Sequence, residues 1–265
     1  MRVKTNKNIQ IKTTNEEPNH LTGGNIEQTL NNKVWLINKS YPNLKQLHYN
    51  PDIYTIDNFL TCNECDQLLS TELNFTLSKV VAVTDTGSNG SSINTSGSSI
   101  NTSGSNINTS GSSINTSRTS TSTFLYDTSN IEWLLTKVKD LTFKSLDTFE
   151  PLQITKYVNT QQYLSHYDSP LPDAFGADQF LAGGGPRQIT VLIYLNDVNN
   201  GGHTGFPKLK LNIHPKKGRA LIFFPSFLND KVDELTLHSG NPAIDTKYIC
   251  QIWIRKKKYY STVPA

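Results

Sequence analysis

Long hydrophobic runs are missing from this chain of 265 residues, and apolar residues make up only 35% of it. The longest apolar stretch, from Ala220 to Pro225, is far shorter than the roughly 20 residues that a membrane-spanning helix needs. The N-terminus, MRVKTNKNIQIKTTNEEPNH, lacks the apolar core of a signal peptide. We therefore expect a soluble, intracellular protein with no membrane partner, part of which adds nothing to a hydrophobic core.

Cysteine is scarce as well. Cys62, Cys65 and Cys250 are the only three, so they cannot all pair with one another. No disulfide framework is visible, which favours a reducing compartment. Cys62 and Cys65 form a C-x-x-C pair, but no second pair completes a zinc site and both lie in a predicted helix. We interpret them as structural residues.

A strong charge of either sign is also absent. The chain has 25 Lys and Arg against 22 Asp and Glu, and a formal net charge of +3 is too small to indicate a nucleic-acid partner. The run Arg255-Lys256-Lys257-Lys258 is a local concentration of charge, and we interpret it as a solvated strand end.

Composition divides the chain into an N-terminal extension, residues 1–49, and one folded domain, residues 50–260. The extension is rich in Asn, Lys and Thr and is expected to be mostly flexible. Inside the domain, residues 87–118 form a low-complexity insertion with four units from Gly90 to Ser117: GSSINTS, GSSINTS, GSNINTS and GSSINTS. Each unit has one Ile among Gly, Ser, Asn and Thr, so it cannot bury enough apolar surface to offset its ordering entropy. We interpret the insertion as a disordered loop.

Two helices are predicted in the first half of the domain. Thr61 and Glu64 fit a capping box with Thr61 as the N-cap, and the apolar face follows at Cys65, Leu68 and Leu69. A second capping box is predicted over residues 129–132. It precedes an amphipathic pattern whose apolar positions are Ile131, Leu134, Leu135, Val138 and Leu141.

The second half of the domain has the pattern of strands. Five strands are predicted, over residues 152–158, 161–166, 188–195, 218–224 and 248–254. Helices followed by many strands indicate an α+β protein whose β part is a sandwich or barrel. Residues 169–186 end in Gly183-Gly184-Gly185-Pro186 and are predicted to form a long mobile loop.

The segment QYLSHYDSP places His166 two residues before Asp168. At a strand end these two side chains project to the same face, with Tyr167 turned away. An imidazole and a carboxylate on one face are two of the three ligands in the 2-His-1-carboxylate triad that holds non-haem Fe(II). Taken alone, H-x-D is also explained by an ordinary surface strand end.

Two further residues strengthen the case for a site. His238 is one of six histidines and lies in LTLHSGNPAIDTKYICQIWIRK, near the end of the domain. Lys247 follows it at the start of the last predicted strand. A cation near a metal with open positions can pair with the far carboxylate of a dicarboxylic keto acid. The alternative for Lys247 is a surface strand residue.

From about Asn50 to Lys258 the chain resembles the prolyl 4-hydroxylase-like group of Fe(II)/2-oxoglutarate-dependent dioxygenases. The matching segments, in order, are IDNFLTCNECDQLL, SRTSTSTFL, EPLQITKYVNTQQYLSHYD, RQITVLIYLNDVNNGGHTGFP, PKKGRALIFF and LHSGNPAIDTKYICQIWIR. The resemblance implies a double-stranded β-helix, which is a jelly-roll with helices packed on one sheet.

The resemblance also assigns roles to five residues. It implies His166, Asp168 and His238 as the iron ligands, and Lys247 as the residue that binds the C5 carboxylate of 2-oxoglutarate. It implies Tyr157 as a wall of the co-substrate pocket, with a core aromatic residue as the alternative.

One turn departs from the family pattern. The family reads Gly-Gly-Glu-Thr where this chain has Gly201-Gly202-His203-Thr204, so His203 is a rival metal ligand or a neighbouring contact. His238 is preferred because the family acid at this turn is not a ligand. Trp253, in the last strand, is interpreted as a core residue.

The implied activity is hydroxylation of peptidyl proline, coupled to oxidative decarboxylation of 2-oxoglutarate by molecular oxygen. The implied cofactors are Fe(II), 2-oxoglutarate as the co-substrate and ascorbate as an auxiliary, and the implied partner is a proline-containing peptide or protein. A related oxygenase acting on another residue or a small molecule is one alternative. A jelly-roll binding module without catalysis is another, which the intact set His166, Asp168, His238 and Lys247 argues against.

Overall fold

The structure is a computed structural model that describes residues 37–71, 73–78, 117–174 and 176–261. All but the last two residues of the predicted insertion 87–118, and residues 1–36 of the predicted extension, lie outside the described residues. The predictions of disorder for them therefore stay predictions. Within the described ranges, no helix is long and apolar enough to cross a membrane.

The strands form an eight-stranded sheet and a four-stranded sheet, and neighbouring strands are antiparallel. The large sheet contains, in spatial order, β1 (Leu44–Tyr49), β2 (Asp52–Ile56), β10 (Ala220–Phe223), β7 (Arg187–Tyr194), β12 (Lys247–Arg255), β5 (Leu152–Tyr157), β4 (Thr121–Leu125) and β3 (Thr76–Leu77). The small sheet contains β6 (Tyr163–His166), β11 (His238–Gly240), β8 (Thr204–Phe206) and β9 (Leu211–Ile213).

Strand alternation gives the large sheet two different apolar faces. One face packs against helices α1 (Cys62–Ser70) and α2 (Glu132–Thr142), and it includes Val191, Ile193, Ala220, Ile222, Cys250 and Ile252. The opposite face packs against the small sheet, and its cluster includes Leu192, Tyr194, Leu221, Phe223 and Ile249 with Phe206 and Ile213. Each fully buried aliphatic side chain contributes about 1.5–3 kcal/mol. These contacts hold the small sheet over one face of the large sheet.

The two helix starts differ from each other. Thr61 caps α1 as predicted, because its side chain accepts from the Glu64 N–H at 3.2 Å while the Glu64 carboxylate accepts from the Thr61 N–H at 2.8 Å. The second predicted capping box is wrong, since α2 begins after Ile131 without a side-chain cap. Ser129 instead donates its N–H to Asp127 Oδ1 at 2.9 Å, so a local aspartate turn competes with the cap.

Three other expectations change. β1 lies before residue 50 and pairs with β2, so the large sheet begins inside the predicted extension. Residues 169–186 are not a loop throughout, because they include helix α3 (Ala177–Ala182). Arg255 is not a solvated strand end, since it is only 4% exposed and forms an ion pair with buried Glu150. For residues 169–186 and for Arg255, tertiary contacts outweigh the loop and the solvent exposure that composition alone indicates.

Candidate metal and co-substrate site

The three residues of the predicted metal site converge between the two sheets. β6 ends at His166, β11 begins at His238, and these two histidines are opposite each other in the pairing of the strands. Asp168 follows β6, and ligand atoms of the three side chains lie within 4.8 Å of one another. His166 Nε2 is 3.9 Å from Asp168 Oδ1, and His238 Nε2 is 3.8 Å from Asp168 Oδ2. Their role as ligands stays a prediction.

Both imidazoles turn the same nitrogen toward the centre of this cluster. His166 Nδ1 is 2.8 Å from the Leu164 carbonyl oxygen, and His238 Nδ1 is 3.0 Å from the Thr236 carbonyl oxygen. Because a carbonyl oxygen only accepts, each Nδ1 carries the hydrogen and each Nε2 lone pair is available to a metal. Burial, reinforced by the nearby His238, holds the pKa of His166 well below its ordinary value. The neutral form is the one that binds metals.

Asp168 is a buried carboxylate that remains ionised. Burial by itself raises the pKa of Asp168, but attraction to His238 and Arg187 outweighs burial and lowers this pKa below its ordinary value. Thr190 on β7 donates to Asp168 Oδ2 at 2.6 Å, which fixes the orientation of the carboxylate. Two imidazole nitrogens and one carboxylate fit a divalent ion such as Fe(II).

Lys247 is the second charged centre of the site. It begins β12, opposite Tyr157 on β5, and is only 1% exposed. Its Nζ donates to the Gly202 carbonyl oxygen at 2.6 Å and lies 5.0 Å from the centre of the Tyr157 ring. No carboxylate of the described residues forms an ion pair with it, and burial lowers the pKa of Lys247 to about 7. A buried ammonium without a charged partner is suited to bind an anion.

A narrow cavity joins the two centres. Its walls include His166, His238, Tyr157 and Lys247, together with the apolar side chains of Leu192 and Ile249. Tyr157 is 2% exposed and lies beside Lys247, and its role as a wall of the co-substrate pocket stays a prediction. The cavity therefore combines a candidate cation site with a candidate anion site.

The glycine turn explains how Lys247 is accommodated. Gly201 and Gly202 have φ angles of 70° and 67°, in the left-handed region, and a Cβ on Gly202 would lie 3.2 Å from Lys247 Cδ. His203, the next residue, contacts Asn241 through Nε2 at 2.6 Å, and its ring lies 5.5 Å from that of His214. The candidate metal cluster found in the described part of the chain does not include His203.

Sequence reasoning missed Arg118 as a residue of this site. It falls at the end of the predicted insertion, yet it is 7% exposed and donates to Gln153 Oε1 at 3.0 Å. Its guanidinium lies 4.7 Å from the centre of the Tyr163 ring, which in turn stacks on His166 at 3.5 Å. The only signal in the sequence was its place in the segment SRTSTSTFL.

Trp253 is buried, as expected of a core residue, but it lies on the side of the sheet that faces the site. It is opposite Thr190 in the pairing of β12 and β7, and paired residues share a face. Its ring is 3.8 Å from the Arg187 guanidinium, and its Nε1 has no hydrogen-bond partner within the described residues. Strand periodicity alone does not identify which face contains the site.

Comparison with known proteins agrees with this geometry. Residues 152–255, which include the His-Asp-His cluster and Lys247, match the 2OG-Fe(II) oxygenase superfamily. This part of the chain is therefore similar to that superfamily. It is 39% identical over 115 residues to a protein of Acanthamoeba polyphaga mimivirus that is provisionally named a prolyl 4-hydroxylase, covering 43% of this chain and 48% of that one. It is 32% identical over 136 residues to prolyl 4-hydroxylase subunit alpha-1 of Homo sapiens, covering 50% and 25%.

The chain matches less than half the length of each of these two curated relatives. Among solved structures, the 2OG complex of viral collagen prolyl hydroxylase from Paramecium bursaria Chlorella virus-1 superposes with a TM-score of 0.53. That match covers 76% of this chain and 94% of the viral chain at 24% identity, so it concerns the fold. The predicted double-stranded β-helix with packed helices is confirmed.

Proposed function

We propose that this protein is an Fe(II)/2-oxoglutarate-dependent dioxygenase that hydroxylates proline in a peptide or protein. One observation carries the proposal: the cavity lined by His166 and His238 of the His-Asp-His cluster is also lined by a buried lysine with no carboxylate partner among the described residues. Adjacent cation and anion sites suit a metal ion and a keto diacid that chelates it. The relatives named prolyl 4-hydroxylase support peptidyl proline as the substrate.

In this proposal, His166 and His238 hold Fe(II) through Nε2 and Asp168 holds it through its carboxylate. When bound, the iron supplies the activation of molecular oxygen, with 2-oxoglutarate as the co-substrate and ascorbate as an auxiliary reductant. The backbone carbonyls behind the two imidazoles keep both rings in the required tautomer. Thr190 keeps the Asp168 carboxylate oriented toward the same point.

Lys247 has a separate task in the proposal. Its ammonium pairs with the C5 carboxylate of 2-oxoglutarate, and Tyr157 forms a wall beside the pair. Burial disfavours the protonated form of the free lysine. The bound carboxylate is an opposite charge beside the amine, so co-substrate binding favours the protonated form. Leu192 and Ile249 line the cavity and exclude water from this pair.

The test is succinate formation with Fe(II), 2-oxoglutarate and ascorbate, using a panel of proline-containing peptides. We expect a peptide with proline to stimulate succinate formation and to gain one oxygen atom by mass spectrometry, whereas the same peptide with alanine for proline does neither. Turnover that does not depend on proline would favour a related oxygenase with another substrate. The absence of both turnover and Mn(II) binding would favour a jelly-roll binding module.

A further inference from the structure

A buried carboxylate behind the metal site joins two arginines from neighbouring strands. Glu150 is 8% exposed and accepts from Arg187 Nε and Nη2, each at 2.7 Å, in a bidentate pair. The same carboxylate accepts from Arg255 Nε at 2.5 Å. Arg187 and Arg255 are opposite each other in the pairing of β7 and β12, so one side chain fixes the ends of two strands.

The first arginine reaches the predicted metal ligand. Arg187 Nη1 donates to the Asp168 carbonyl oxygen at 3.3 Å and lies 3.9 Å from Asp168 Oδ1. The Arg187 backbone N–H also donates to Ser169 Oγ at 2.8 Å, and the Ser169 hydroxyl donates to the Arg187 carbonyl oxygen at 3.1 Å. Arg187 therefore contacts both Asp168 and the next residue, Ser169, and fixes the position of the chain at the predicted ligand.

The second arginine reaches residues 176–185, which contain helix α3. Arg255 Nη1 donates to the Phe180 carbonyl oxygen at 2.9 Å and to the Gly185 carbonyl oxygen at 2.8 Å. Its guanidinium also lies 3.8 Å from the centre of the Phe180 ring. These contacts hold segment 176–185 against the strand end, close to Asp168 along the chain.

We propose that Glu150 is a positioning residue that acts through two separable contacts, one on Asp168 and one on segment 176–185. The Arg187 contact sets the metal affinity, and the Arg255 contact sets the stability of the segment. A planar guanidinium can bridge Glu150 and a second acceptor at the same time, whereas a lysine ammonium has no matching fork. The inference rests on the proposed function, because it takes Asp168 as a metal ligand.

The test separates the two contacts with charge-conserving variants of the two arginines and a neutral variant of Glu150. Mn(II) affinity is measured by titration for wild type, Arg187→Lys, Arg255→Lys and Glu150→Gln, and amide hydrogen exchange is followed over residues 176–185. We expect Arg187→Lys to weaken Mn(II) binding by about tenfold, the lower end of what partners of metal ligands usually contribute. Arg255→Lys should leave Mn(II) affinity within about twofold and accelerate exchange in the segment. Glu150→Gln should do both.

Lys256→Gln is the matched control, because Lys256 is the neighbour of Arg255 but pairs with the exposed residue Asp230. It should change neither readout. If Glu150→Gln does not fold, the two lysine variants still decide the question, since each keeps its positive charge. Equal effects of both variants on both readouts, or no effect of either, would overturn the inference.

Failure of the proposed function looks different. Wild type that binds no Mn(II), or an Asp168→Ala variant that binds it as wild type does, would remove the metal site and the inference together. Wild type that binds Mn(II) through Asp168, with Arg187→Lys unchanged, overturns the inference alone.

Discussion

The candidate site has a metal end, where Asp168 is buried, and a lysine end, where Lys247 is buried, and these two charges have different partners. At one end, the Asp168 carboxylate accepts a hydrogen bond from Thr190 and lies 3.9 Å from the Arg187 guanidinium. At the other end, Lys247 donates to a single backbone carbonyl and is otherwise beside the aromatic rings of Tyr157 and Tyr194. The carboxylate stays ionised, while burial lowers the pKa of Lys247 to about 7.

The difference indicates which charge the fold stabilises by itself and which one it leaves for a ligand. Hydrogen bonds and neighbouring charges compensate the desolvation of Asp168 before any metal binds. The ammonium of Lys247 has one backbone hydrogen bond but no charged partner among the described residues, so a bound carboxylate would supply the missing negative charge. The metal end is preorganised, and the lysine end is completed by its ligand.

The largest expected effect is at the metal end. His166→Ala, Asp168→Ala and His238→Ala should each abolish turnover and weaken Mn(II) binding by at least about 100-fold, more than the loss of a partner behind a ligand. His203→Ala is the control, because His203 contacts Asn241 and lies outside the cluster. Loss of the metal in His203→Ala, with binding retained in His238→Ala, would show that the predicted ligand set is wrong.

The sequence predicted the architecture and the proximity of His166, Asp168 and His238 better than the contacts that support them. Strand alternation and the capping box at Thr61 depend on local spacing, and both appear as expected. The burial of Arg118 and Arg255 depends on partners 35 and 105 positions away in the chain, Gln153 and Glu150. No local pattern predicts such long-range pairs, so the run that begins at Arg255 is interpreted from sequence as a solvated strand end.

The second largest effect is expected at the lysine end. Lys247→Ala should raise the KM for 2-oxoglutarate by at least tenfold, since truncating one partner of a buried charge pair costs roughly 2–5 kcal/mol and about 1.4 kcal/mol is one decade. Mn(II) affinity should stay near the wild-type value, because Lys247 is not in the metal cluster. Lys247→Arg should rescue only part of the loss, since its planar head is larger. Co-substrate titration at saturating iron and peptide measures this, and an unchanged KM would remove Lys247 from the site.

A smaller effect is expected where Thr190 supports the preorganised end. Thr190→Val removes the hydroxyl that donates to Asp168 Oδ2 but keeps a similar shape, so Mn(II) affinity should fall by about tenfold. Thr190→Ser keeps the hydroxyl and serves as the control, with affinity near that of wild type. Titration with Mn(II) gives both values. Equal affinities of the valine and serine variants would mean that Asp168 does not need this hydrogen bond.

The smallest effect concerns stability rather than binding, and its sign follows from the pKa of Lys247. That pKa is about 7 in the folded chain and near its ordinary value of roughly 10.4 in the unfolded chain. Between these values the unfolded chain binds more protons, so the contribution of Lys247 to stability rises with pH. Below about pH 7 both states are protonated, and the full cost of burying the cation is present.

Lys247→Met removes this cost while keeping an unbranched side chain of similar length. Without ligand, its free energy of unfolding should exceed that of wild type by roughly 1 kcal/mol or more near pH 6, and the gain should fall toward zero near pH 10. Urea unfolding of both proteins across this range measures the difference. Lys256→Met, at an exposed ion pair, should show no such pH-dependent gain. A Lys247→Met gain that is independent of pH would arise from packing, and it would contradict the assignment of Lys247 as an uncompensated buried cation.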